Sequence, residues 1–120
     1  MKGIAVTHKG IEDVSALEIK ELINSESKIE ESICIFDIKK LEDLCLLCYK
    51  GQSFVKILYL IDNFSFRDFE DLIKKFNNKK ILNGINDWIK NKKFKTTCKR
   101  VGEHTFNSQD VSMKINEIIN

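Results

Sequence analysis

Proline is missing from all 120 residues, and glycine (five), tryptophan (one) and histidine (two) are scarce. No motif built on a proline-bearing loop can therefore be present. No apolar run approaches the roughly 18 residues that a membrane-crossing helix needs, and no secretory apolar core opens the chain. With four cysteines and no export signal, the expected setting is the reducing cytoplasm. Internal repeats and low-complexity linkers are also lacking, so the expectation is two closely packed lobes joined near Asn63. One further scarcity is local. From Lys74 to Arg100 ten Lys or Arg meet a single acid, Asp87, giving that stretch +9 while the rest of the chain carries −7 and the whole only +2. A surface of one sign so concentrated most commonly faces nucleic acid.

What is present is patterned for a core: 42% of residues are hydrophobic and 32% charged. Gly3 to His8 reads as a short strand, and Gly10 turns it into a helix reaching about Ile23, with Ile11, Val14, Leu17 and Leu22 among its buried positions. Asn24 to Glu31 reads as a polar connection, and Ser32 to Ile38 as a second strand, parallel to the first through a right-handed crossover. Leu41, Leu44, Cys45 and Cys48 follow at i, i+3, i+4 and i+7, one face of a helix from about Lys39 to Tyr49. The C-x-x-C of Cys45 and Cys48 is accordingly read as helix face rather than as a metal or redox site.

Val55 to Ile61 is the most strand-like segment by composition. Ser65 is a candidate cap for a helix carrying Phe66, Phe69, Leu72, Ile73 and Phe76, and a further helix from about Lys80 to Asn91 carries Ile81, Leu82, Ile85, Trp88 and Ile89. The phenylalanines and Trp88 are read as core. Phe94, Thr96 and Cys98 then alternate with Lys95, Thr97 and Lys99, predicting a strand with one dry and one basic face. Lys99 to Gly102 leaves that strand. Ser108 stands at the N-cap position of a last helix whose stripe is Val111, Ile115 and Ile118. Cations beside a helix N-terminus form a phosphate-binding arrangement.

The order Phe94, Arg100, Gly102, His104, Ser108, Asp110, followed by an apolar helix, resembles the F-x-V-R-x-x-R-x-G-x-H-x-x-x-S-x-D run of THUMP domains. Ala5 to Asp13 is similar to the strand, glycine turn and G-I-E-D helix opening of the ferredoxin-like domain preceding THUMP in archaeal tRNA guanosine N2-methyltransferases. The resemblance implies an α+β fold with a ferredoxin-like βαβ lobe over residues 1–63 packed on an α/β THUMP lobe over 64–120, the latter lacking its closing strands because the chain stops at Asn120. It also implies tRNA as partner, gripped at the acceptor stem and 3′ CCA end, beside a methyltransferase domain. Without proline the D/N-P-P-Y/F loop of such methyltransferases cannot occur here, so this chain is expected to be no enzyme. S-adenosylmethionine would belong to the full-length relatives.

The candidate RNA-binding residues are Lys93, Lys95, Lys99, Arg100, Gly102, His104 and Ser108. For Gly102 the structural role of a turn glycine is preferred, whereas His104 is read equally as a loop hydrogen-bonding group or as an RNA contact. No catalytic or metal residue is identifiable. Thr97 and Asn116 depart from the pattern, standing where the family has an arginine and a glycine. The rival readings are a stand-alone adaptor for a separate tRNA-modifying enzyme, and a protein-interaction module whose basic surface never meets RNA.

Overall fold

A computed structural model describes residues 1–90, 92–98 and 108–119. The fold is α+β, and the described residues form a four-stranded antiparallel sheet and five helices. The chain divides into two compact units, Met1–Leu60 and Ile61–Asn120.

In the first unit β1 (Lys2–Thr7), α1 (Glu12–Ile23), β2 (Ser27–Glu30), β3 (Ile33–Asp37), α2 (Leu41–Lys50) and β4 (Phe54–Leu60) follow in order. The sheet runs β2-β3-β1-β4, with β1 antiparallel to both β3 and β4, and β2 antiparallel to β3. This is the ferredoxin-like split β-α-β arrangement. The strand expected to lie parallel to β1 is β3, and it is antiparallel. The reversal comes from β2, formed within the stretch read as a polar connection. Ser27-Lys28-Ile29-Glu30 is an edge strand, mostly exposed and charged as edge strands are, so its composition resembles a loop. A turn at Glu31 and Ser32, the latter at φ 64°, returns the chain as β3.

Alternation places Ala5, Cys34 and Phe36 on one sheet face, where they form a core with Ile19 of α1 and Leu47 of α2. Both helices therefore cover that face. Gly3 sits there too: a Cβ would meet Leu44 and Phe36 side-chain atoms at 2.7–2.8 Å, so only glycine lets α2 approach this closely. The helix faces differ from their periodic reading. In α1 the buried residues are Ser15 and Ile19, while Val14 and Leu17 are exposed. Ser15 escapes a hydrophobic count, yet its hydroxyl donates to Thr7 Oγ1 at 2.8 Å, and Thr7 Oγ1 donates to Ser53 O at 2.8 Å. A buried hydroxyl satisfied in this way is tolerated inside. In α2 the inward residue is Leu47 with Leu44 beside it; Leu41, Cys45 and Cys48 are exposed. Leu44 belongs to two overlapping three-and-four stripes, and packing selects the one through Leu47.

The second unit contains α3 (Phe69–Phe76), α4 (Lys79–Ile89) and α5 (Ser108–Ile119). The cap of α3 is Asp68, whose carboxylate accepts from Asp71 N at 2.8 Å, and not Ser65. Asn78 caps α4 by accepting from Lys80 N and Ile81 N. Ile81 and Val111 are buried, and Ile115 and Ile118 half-buried, along the inner stripes of α4 and α5. Trp88, expected in the core, is 48% exposed. No strand forms at 94–98 among the described residues. The α/β character expected of this unit is therefore not seen in them, because the segment has no described neighbouring strand with which to build a ladder.

Candidate nucleic-acid interface

The basic stretch begins at the end of α3, where Lys74 and Lys75 occupy the last turn, the favourable end of the helix dipole for cations. Lys75 is already partnered. Its ammonium lies 3.4 Å from Asp71 Oδ2 and also donates to the Ser65 carbonyl. Arg67 is held by the same carboxylate, its Nε at 3.7 Å and its backbone N at 3.0 Å. The hydrogen bond from Arg67 N is the main cause holding the Asp71 carboxyl below its ordinary range; the Lys75 charge adds to it and partial desolvation opposes it.

Beyond this neutralised cluster the cations stand open. Lys74, Lys79, Lys80, Lys90, Lys92, Lys93 and Lys95 are all exposed, and none lies within 4.0 Å of a described carboxylate. Lys92 N donates to Ile89 O at 2.9 Å, so the chain turns immediately after α4 and enters the segment 93–98. At about 3.8 Å per residue, Lys90 and Lys93 are at most about 11 Å apart.

In that segment exposure alternates although no ladder forms: Phe94, Thr96 and Cys98 are half-buried, Lys93, Lys95 and Thr97 exposed. Thr96 Oγ1 donates to Asn116 Oδ1 of α5 at 3.3 Å. Asn116, a departure from the resembling pattern, thus serves as the segment's hydrogen-bond partner. Of the residues singled out from sequence, Lys93 and Lys95 share this outward face. Ser108 opens α5, but its side chain lies outside the description, as do Lys99, Arg100, Gly102 and His104 entirely. Sequence reasoning left out Lys74, Lys79 and Lys80 as site residues, although the charge count included them. Among the described residues no group of three His, Cys, Asp or Glu could hold a metal ion, and no helix is long and apolar enough to cross a membrane.

No family model matches the chain, and no curated protein matches its sequence. Its fold is similar to that of part of a predicted N6-adenine-specific DNA methylase from Listeria monocytogenes str. 4b F2365, with a TM-score of 0.81 and 16% identity. The match covers 98% of this chain and 30% of that protein, so the chain spans under a third of its neighbour's length. At that identity the likeness establishes the fold.

Proposed function

We propose that this chain is a THUMP-type tRNA-binding module that grips the acceptor stem and 3′ CCA end and positions a methyltransferase domain. The observation carrying this reading is the set of exposed lysines Lys74, Lys79, Lys80, Lys90, Lys92, Lys93 and Lys95, none with a described carboxylate within salt-bridge reach. Ammonium groups held this way release counterions from a phosphate backbone, which supplies affinity without base sequence. The fold likeness to one portion of a larger methylase supports a division of labour in which this chain binds and another part carries the chemistry and S-adenosylmethionine. Lys93 and Lys95 make direct phosphate contacts in this reading; Lys99, Arg100, Gly102, His104 and Ser108 remain the candidates that the sequence adds to them. The same geometry serves a stand-alone adaptor for a separate modifying enzyme, which the intact reading frame would distinguish.

Fluorescence anisotropy with whole tRNA and with tRNA lacking its CCA end, over 50 to 200 mM salt, tests this. Tighter binding to whole tRNA, weakened by Lys93→Glu/Lys95→Glu, is expected, with no methyl transfer from S-adenosylmethionine by this chain alone. Equal binding to both RNAs would refute the end-recognition mechanism. Absence of binding to either would leave the protein-interaction module as the better account.

A further inference from the structure

The outer face of α4 carries a polar stripe separate from the 93–98 segment. Lys79, Asn83 and Asn86 of α4 and its C-cap residue Lys90 recur at i, i+4, i+7 and i+11 and are all exposed, whereas Ile81 is buried and Leu82, Ile85 and Ile89 are half-buried. At 1.5 Å per residue the two lysines stand about 16 Å apart along the axis. Lys80 flanks the first lysine, and Asp87, the helix's one acid, lies beside the stripe near its middle. Charge along this face therefore runs positive, neutral to negative, positive. Asparagine is a poor choice for exposed helix interiors, where Glu, Lys, Gln or Ala cost less, and neither Asn83 nor Asn86 makes a side-chain hydrogen bond with another described residue.

A strand of phosphates alone would reward cations throughout the stripe. A groove rewards cations at its rims and hydrogen-bonding groups over its floor. The A-form RNA minor groove is wide and shallow and displays 2′-hydroxyls and base edges between two phosphate rims. We propose that α4 lies across the minor groove of duplex RNA, with Lys79 and Lys90 on the phosphates of its two borders and Asn83 and Asn86 on 2′-hydroxyls of the floor. Asp87 then faces hydroxyl and guanine amino donors instead of phosphates. This deepens the proposed RNA-binding function and rests on it.

The test is a titration of the whole chain with an RNA hairpin, a DNA hairpin of the same sequence and the unpaired RNA strand. Wild type binds the RNA hairpin most tightly. Lys79→Gln/Lys90→Gln weakens both hairpins and lowers the log-log salt slope by about 0.9 per lysine. Asn83→Ala/Asn86→Ala leaves the slope unchanged and cuts the preference for RNA over DNA by about three- to tenfold per asparagine, the size of one lost hydrogen bond. Alanine favours the helix, so retained circular dichroism separates this loss from unfolding. If Lys93→Gln/Lys95→Gln weakens RNA binding while both α4 variants bind like wild type, the α4 inference is overturned and the tRNA-binding reading survives. Equal or tighter binding of the unpaired strand overturns the groove geometry. A wild-type chain that binds none of the three removes both proposals.

Discussion

Glu18 of α1 accepts two hydrogen bonds from Ser53 at one oxygen: Ser53 N at 3.0 Å and Ser53 Oγ at 2.7 Å both reach its Oε1. Gln52 N adds a third donor at 3.0 Å. One carboxylate thereby fastens the turn between α2 and β4 to the first helix. Replacing Glu18 by Ala leaves these donors to the solvent that partly reaches them, and we expect a loss of about 1–2 kcal/mol. Glu18→Gln, which keeps an acceptor, should lose less. Urea unfolding of the three proteins measures the difference.

Acid should weaken the fold through the same group and through Glu12. Glu12 accepts from Ser32 N at 3.0 Å and from Gly10 N at 2.6 Å, tying the β1–α1 turn to the β2–β3 turn. The Ser32 hydrogen bond leads the causes that hold its carboxyl below the ordinary 4.5. For Glu18 burial pushes upward, and the hydrogen bonds from Ser53 and Gln52 outweigh it, so this carboxyl is lowered too. The unfolded chain then takes up protons at higher pH than the native one, so the stabilisation is complete above about pH 4.5 and disappears as pH falls through the folded values. Urea midpoints between pH 6 and 3 should fall in the wild type and fall less steeply in Glu12→Gln/Glu18→Gln, which starts lower at pH 6.

Gly10 has φ 102° and nothing within 4 Å of where a Cβ would stand. The cost of Gly10→Ala is therefore backbone strain without collision, about 1–2 kcal/mol. Gly3→Ala, at a negative φ but against Leu44 and Phe36, should destabilise through packing instead. Thermal denaturation of both variants, with a Leu44→Ala background that relieves part of the second effect and none of the first, separates the two causes.

Lys79 and Lys80 occupy the first turn of α4, which holds no acid. Cations oppose the helix dipole there. Lys79→Glu should raise stability by about 0.3–1 kcal/mol while weakening RNA binding. Opposite signs in melting and in titration would mark a position kept for its ligand at the expense of its helix.

The G-I-E-D resemblance at Gly10 to Asp13 was readable from sequence, and the structure supplies its physics: a left-handed glycine followed by a carboxylate that reaches back to it and across to Ser32. Apolar strands and the stripes of α4 and α5 were readable because burial imposes their period. The edge strand β2 was not, since exposed edges are composed like loops. Nor were the inner faces of α1 and α2: Ser15 is buried by virtue of a hydroxyl pair, and Leu44 belongs to two stripes that only packing distinguishes. In the candidate interface, the alternation of Lys93 and Lys95 with Phe94 was legible, while its want of a neighbouring strand among the described residues depends on contacts distant in sequence.

Lys2 and Leu60 stand directly opposite one another on β1 and β4. Entry and exit of the first unit consequently leave its sheet side by side, from strands that run in opposite directions. Tension applied between these two points parts the ladder like a zipper, one rung after another, instead of shearing all its bonds together.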